Sequence, residues 1–322
     1  MRILSGIQPS GKLHIGNYFG AIKQYLELQE GNEAFYFIAD YHALTTVRAP
    51  EKLKEYTEQV AISYLALGLD PKKSILFKQS DIPEVHELAW ILSTITPMGL
   101  LERCHSYKDK ISQGITPNHG LFAYPVLMAA DILIYKSNLV PVGKDQKQHI
   151  EVTRDLAQKF NNIYGETFII PEERIMKTTA VVPGLDGRKM SKTYNNTIEI
   201  FENTDTLRKK IMRIVTDSTP VDQPKDPDKC TLFALYKLVA NEKDIKYIEN
   251  LYRNGGLSYK DMKNWLYEAI SHYFFPFKKK KEELEKNKDY VYSVLKEGAQ
   301  KAREIAVKTL KEVREKVGIL KF

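Results

Sequence analysis

Two short runs of the chain, Ala34-Phe35-Tyr36-Phe37-Ile38-Ala39 and Ser74-Ile75-Leu76-Phe77, are apolar at consecutive positions rather than alternating ones. A strand with one wet face alternates, whereas a strand covered on both faces does not, so both runs read as buried parallel strands. Between them, Pro50 to Leu67 places Leu53, Tyr56, Val60, Tyr64 and Leu67 on one helical face. Strand, helix, strand predicts a doubly wound parallel α/β sheet whose ligand crevice lies at the carboxyl ends of the strands. A further strand is expected at Arg2-Ile3-Leu4-Ser5. After residue 193 the pattern turns helical: helices are expected at 204–215, 231–240, 244–253 and 258–275. The run 294–317 carries Val294, Ala299, Ala302, Ile305, Ala306, Leu310, Val313 and Val317 on one stripe.

Composition narrows the class. A chain of 322 residues can bury a sizeable core and is expected to form two structural units. No run of 18 apolar residues occurs; the most apolar stretch, Leu121 to Tyr135, is interrupted by Pro125 and Asp131, which argues against a membrane span. The N-terminus enters a strand directly, without a basic and apolar leader. Two cysteines, Cys104 and Cys230, are too few for a disulfide framework and point to a reducing cytosol; Cys104 reads as a plain helix residue. Charge is uneven: residues 1–186 hold 19 Lys and Arg against 21 Asp and Glu, residues 187–322 hold 29 against 20. The second half, densest at Lys278-Lys279-Lys280-Lys281, suits a polyanion such as RNA, although Lys/Glu-rich helices also serve solubility alone.

Two signatures carry chemistry. Residues 6–11 form a Gly/Pro/Ser turn leading into His14-Ile15-Gly16-Asn17 and a helix with Tyr18, Ala21, Ile22, Tyr25 and Leu26 at apolar positions. Such an entry aims helix N–H groups at an anion, and Gly16, without a β-carbon, allows close approach. His14 and Asn17 bring short polar groups to one space, with Ile15 facing the core. Far downstream, Pro183-Gly184-Leu185-Asp186-Gly187 precedes Arg188-Lys189-Met190-Ser191-Lys192-Thr193. Three cations within five residues on a glycine-hinged loop suit a mobile clamp for a triphosphate. Alone, the first would be an ordinary turn and the second a solvated basic loop; their combination favours nucleotide chemistry.

The two signatures resemble the HIGH-type and KMSKS-type motifs of class I aminoacyl-tRNA synthetases. The turn 5–11, the run 125–133 and Pro141-Val142-Gly143-Lys144-Asp145-Gln146-Lys147-Gln148-His149 resemble the bacterial-type tryptophanyl-tRNA synthetases along nearly the whole chain. The resemblance implies a Rossmann-like catalytic domain over 1–195, a helical anticodon-binding domain over 196–290, and a C-terminal helix over 291–322 packing back on the catalytic domain. It implies catalytic contacts from His14, Lys189 and Lys192. ATP would be met by Gln8, Pro9, Ser10, Gly16, Asn17, Gly143, Lys144, Asp145, Val182, Lys189, Met190, Ser191, Lys192 and Thr193. Lys144 stands where the family often has Glu, and Thr193 where it usually has Ser. ATP would enter with Mg2+, the partner would be tRNA(Trp), the protein a cytoplasmic homodimer without a membrane anchor. Some relatives hold an iron–sulfur cluster on four cysteines; only Cys230 could correspond to one, so no cluster is expected, nor any other resident metal.

The amino-acid pocket can be read partly from residues. Asp131 interrupts an apolar run, and such a carboxylate is an N-cap, a partner to a distant cation, or a buried acceptor. The resemblance selects the last: Asp131 would accept the indole N–H, a group that only donates. Met128, Val140 and Val142 would supply apolar walls, and Tyr124 and Gln146 would hold the α-amino end, although Tyr124 could equally be a core tyrosine. A tyrosine-specific synthetase and an inactive RNA-binding paralogue are the competing readings. The Gln-Pro-Ser-Gly turn, Ile15-Gly16-Asn17 and 146–149 favour tryptophan over tyrosine; intact His14, Lys189 and Lys192 favour catalysis.

Overall fold

The computed structural model describes residues 1–319 apart from 105–106, 109–111, 113, 115, 117, 144–145 and 176–181. Five strands, β1 (Arg2–Ile7), β2 (Glu33–Ile38), β3 (Ser74–Lys78), β4 (Leu139–Val142) and β5 (Glu172–Ile175), form one sheet in the order β3-β2-β1-β4-β5. All neighbours are parallel. The two continuous apolar runs are β2 and β3, paired with Phe35 opposite Ile75 and Phe37 opposite Phe77. From β1 the chain proceeds to β2 and β3 on one side and later to β4 and β5 on the other. The order therefore reverses between β1 and β4, where doubly wound sheets open their crevice. Two strands escape the apolar pattern: β4 contains Pro141, and β5, Glu-Glu-Arg-Ile, is a charged edge strand.

The chain forms two compact units: Met1–Gly11, Tyr25–Met176 and Asn287–Phe322 in the first, Lys12–Gln24 and Lys177–Lys286 in the second. This partition differs from boundaries at 195 and 290. The second signature and the segment holding His14 cluster with the helical half instead of with the sheet.

In the first unit, helices Pro50–Ala66, Glu84–Ile95, His119–Leu133 and Lys147–Tyr164 surround the sheet. Helix Lys288–Val317 packs on β3 and on helix Glu84–Ile95, with Ala302, Ala306, Leu310 and Val313 buried in the common core. Gly298 makes the approach possible: a β-carbon there would stand 1.9 Å from the Leu76 carbonyl oxygen. The Lys288–Glu58 and Arg303–Glu84 ion pairs lie at the rim, where such pairs contribute about 1 kcal/mol or less; the apolar stripe is the main stabiliser. Cys104 is buried just past the short helix Met98–Glu102 instead of inside a helix.

The second unit holds helices Thr204–Met212, Thr231–Val239, Glu242–Asn254 and Tyr259–Lys286. The last continues past the expected end at 275, straight through Pro276. Proline removes one intrahelical hydrogen bond and crowds the preceding turn. Around it Tyr273, Phe274 and Phe277 pack against Tyr18, with Tyr18 to Phe274 centroids 5.3 Å apart and edge-on. That aromatic burial offsets the lost bond. Among the described residues no helix is long and apolar enough to cross a membrane.

Candidate functional site: a carboxylate-floored cavity and a pair of nucleotide signatures

A cavity of about 370 Å³ opens in the first unit at the carboxyl ends of β1, β2 and β4. Tyr124, Met128, Asp131, Val140, Val142 and Gln146, the six residues expected around an amino acid, all line it. Gln8 and Gly143, expected at the nucleotide, line it too, and Gln8 Nε2 is tied to the His42 carbonyl at 3.0 Å. Pro9 is buried and Ser10 exposed in the turn after β1. Lys144 and Asp145 lie outside the described residues.

Asp131 sits near the end of helix His119–Leu133, so the N-cap reading falls away. It is 2% exposed. Gln79 Nε2 donates to Oδ1 at 3.0 Å and to Oδ2 at 2.9 Å, and His42 Nε2 lies 2.9 Å from Oδ2. Burial raises the carboxyl pKa above its ordinary value, opposed by hydrogen bonding to His42, its charge, and Gln79. Asp131 thus has protein partners and also faces the cavity. His42 and Gln79 had gone unnoticed in the sequence, although each stands just past the carboxyl end of a strand, where α/β sheets place functional residues. Tyr124 lines the cavity half-buried, its hydroxyl 2.6 Å from His149 Nε2.

In the second unit, His14 and Asn17 cap one another. His14 Nδ1 accepts from the Asn17 N–H at 3.2 Å, and Asn17 Oδ1 accepts from the His14 N–H at 3.0 Å. Burial first, and then the charge of Lys192, lowers the His14 pKa to about 4. The imidazole is therefore neutral at pH 7, with its proton on Nε2 because Nδ1 accepts. Ile15 is buried as expected. Backbone bonds from Ile15 N to Ile198 O (2.9 Å) and from Ile200 N to Leu13 O (3.0 Å) fasten this signature to the chain beyond the second one. Gly16 completes the junction: a β-carbon there would lie 2.9 Å from His14 Nδ1 and 3.3 Å from Met190 Cβ. The glycine makes room for the histidine ring and the second signature as well as for any ligand. A π-helical turn, Tyr18–Ile22, follows directly.

The second signature is shaped from within. Val182 and Met190 are buried and joined by the Met190 N–H to Val182 O bond of 2.9 Å. Asn196, 3% exposed, accepts from Ser191 N at 2.8 Å and donates to Asp186 Oδ1 at 2.7 Å and Lys189 O at 3.2 Å. Of the three expected clamp cations, Arg188 is exposed but pairs with Asp186 and lies over the Tyr194 ring at 4.4 Å. Lys189, Lys192 and Thr193 are exposed, and Ser191 Oγ caps the turn by accepting from Thr193 N at 3.3 Å. Exposed as the residue is, the protein crowding the Lys192 ammonium pushes its pKa below the lysine norm, with Glu199 pulling the other way. The unit thus presents a neutral histidine beside two lysines, a set suited to phosphate oxygens.

Residues 1–275 match the family described as tRNA synthetases class I (W and Y). The chain is 56% identical over 319 residues to a tryptophan–tRNA ligase of Rhodopirellula baltica, covering 99% of this chain and 100% of that one. It is 55% identical to one of Fusobacterium nucleatum, covering 99% and 98%. Among solved structures, a tryptophanyl-tRNA synthetase of Campylobacter jejuni complexed with ADP and tryptophan is similar at a TM-score of 0.95 and 51% identity, over 99% of this chain and 100% of that one. The chain belongs to the class I aminoacyl-tRNA synthetases, in the family that holds the tryptophan and tyrosine enzymes.

Proposed function

We propose that the protein is a tryptophan–tRNA ligase. The observation that carries this reading is the buried, hydrogen-bonded Asp131 carboxylate in an otherwise largely apolar cavity. An ionised carboxylate only accepts and an indole N–H only donates, so the pair is complementary. Met128, Val140 and Val142 enclose the ring, and Tyr124 and Gln146 take the α-amino end. A tryptophan carboxylate oxygen attacks the α-phosphorus of Mg–ATP; the new O–P bond forms as the bond to pyrophosphate breaks. The terminal ribose hydroxyl of tRNA(Trp) then attacks the acyl carbon and AMP departs. Neither step needs a protein nucleophile; positioning and charge stabilisation supply the rate. His14, through Nε2–H, and Lys189 and Lys192 meet charge that grows on the leaving phosphates. Gln8, Pro9, Ser10, Gly16, Asn17, Val182, Met190, Ser191 and Thr193 hold adenine and phosphates, and Gly143, Lys144 and Asp145 the ribose.

The identity to named ligases over full length supports the same reading. Residues 196–290 would read the anticodon, in keeping with the cationic excess of the second half. The protein would act in the cytoplasm as a homodimer, for which Trp90, 72% exposed on helix Glu84–Ile95, offers an apolar contact. The test is amino-acid-dependent ATP–pyrophosphate exchange. Tryptophan is expected to stimulate it and tyrosine not appreciably; exchange with tyrosine alone would move the assignment to the tyrosine enzyme, and exchange with neither to a non-catalytic protein.

A further inference from the structure

The cavity's carboxylate is held by a residue that does not itself line the cavity. Gln79 opens a short 3-10 turn, Gln79–Asp81, directly after β3 and is 1% exposed. Its Oε1 accepts from the backbone N–H of Tyr41 at 3.1 Å and of His42 at 3.4 Å. Its Nε2 donates to both oxygens of Asp131, at 3.0 and 2.9 Å. The amide has one tenable orientation, because turning it over would set NH₂ against two N–H donors and a carbonyl against a carboxylate. The same side chain therefore ties the turn after β2 to the helix that carries Asp131.

The two carboxylate oxygens are not equivalent. Each offers about two lone-pair directions. Oδ2 is taken by Gln79 and by His42, 2.9 Å away, while Oδ1 receives Gln79 alone among the described residues. His42 touches a single oxygen and would let the carboxylate swing about that contact; the second contact from Gln79 stops the swing. We infer that Gln79 is a positioning residue for amino-acid selection, fixing the Asp131 carboxylate so that Oδ1 presents its remaining lone pair to a bound indole N–H. This rests on the tryptophan reading of the cavity and deepens it. A buried acceptor selects only as well as its own orientation is fixed, so a supporting residue of this kind acts on specificity without touching the substrate.

The experiment compares pyrophosphate exchange with tryptophan and with β-(3-benzothienyl)alanine, in which sulfur replaces the indole N–H. Gln79→Met keeps the shape and removes the amide; Gln79→Asn keeps an amide but draws it back from the carboxylate by one methylene, and serves should the methionine variant not fold. The expected result is a tryptophan KM raised about tenfold, the scale of one hydrogen bond to a charged group, with kcat and the KM for the analogue and for ATP little changed. The preference for tryptophan over the analogue then falls by the same factor. In the Asp131→Asn background, Gln79→Met adds little further loss, since it acts through that carboxylate. A loss shared equally by tryptophan and the analogue overturns the inference and leaves Gln79 a packing residue; so does full additivity with Asp131→Asn. An unaltered protein that does not distinguish the two amino acids overturns Asp131 as the indole acceptor, and the role of Gln79 with it.

Discussion

The cavity of the first unit and the signatures of the second handle charge in opposite ways. Asp131 is buried, and its charge is offset by side chains set in place by the fold: Gln79 on both oxygens and His42 on one. Lys189 and Lys192 are exposed on a loop whose internal bonds, through Asn196 and Asp186, hold its backbone but leave the two lysines at the surface. The difference follows from what each must meet. A neutral donor brings no charge of its own, so its acceptor has to be desolvated and oriented beforehand, and burial without partners would be costly. A triphosphate arrives with several charges, and lysines waiting in water need only be brought to it. On the proposed function, selectivity is thus built into the resting fold of one unit, whereas catalytic charge in the other is assembled when substrate binds.

If that contrast is right, the largest effect belongs to the loop. Lys192→Ala is expected to lower kcat of pyrophosphate exchange by about 10²–10³, the scale for losing one charge-stabilising donor, with the tryptophan KM nearly unchanged. A variant whose defect lies in the tryptophan KM would break the division of labour. Because the protein crowding the exposed Lys192 ammonium lowers its pKa, the free enzyme deprotonates there at a lower pH than at an ordinary lysine, and the alkaline limb of kcat/KM for ATP should lie correspondingly low.

The next effect is on stability. His14, the buried group beside the loop, has a folded pKa of about 4 against an unperturbed 6.5. Between those values the unfolded chain binds the extra proton, so stability is full above about pH 6.5 and declines toward pH 4. The decline amounts to about 3 kcal/mol at most on the scale of 1.36 kcal/mol per pKa unit. Urea unfolding at pH 7 and pH 4.5 should show this loss in the unaltered protein and a smaller one in His14→Gln. Equal losses in both would mean that folding does not lower the His14 pKa.

Strands β2 and β3 were legible because burial on both faces leaves continuous apolar runs, even though β3 stands at the sheet's edge, and helix Pro50–Ala66 because its face repeats at helical spacing. Strand β5 was not, since an edge strand of Glu-Glu-Arg-Ile needs no apolar pattern. The helix expected over 258–275 runs on through Pro276 because Tyr18 packs against the turn around it, a contact that local periodicity does not contain. The six cavity residues were found through family motifs. Gln79 and His42 were missed for a physical reason: 52 and 89 positions separate them from Asp131, and only the parallel strand order brings them together.

Asp131→Asn probes the cavity side at intermediate size. Loss of the charge, and an NH₂ able to face the indole donor, should weaken tryptophan use by about 1–3 kcal/mol. It should act on KM and on the preference over the sulfur analogue, with ATP handling intact. Unchanged tryptophan kinetics would make the carboxylate structural and remove the contrast with the loop.

The smallest effect is expected where charge density alone suggested the largest. The block Lys278–Lys281 is the densest cationic run, yet the helix Tyr259–Lys286 turns most of it inward or onto neighbours. Lys278 Nζ donates to the Glu202 carbonyl at 2.6 Å, Lys280 pairs with Glu283 at 3.2 Å, and Lys281 pairs with Glu285 while lying 5.5 Å from the Phe201 ring centroid. A lysine that contacts RNA phosphate adds about 0.7–0.9 to the slope of log affinity against log salt. Replacing all four lysines by Gln removes the equivalent of one such contact at most, because three already have protein partners. The tRNA salt slope should therefore change by less than about 1, and tryptophan-dependent pyrophosphate exchange should stay intact. A fall of 2 or more would show that the ion pairs open to receive phosphate, which would make this helix, like the catalytic loop, a surface whose charge is assembled only on binding.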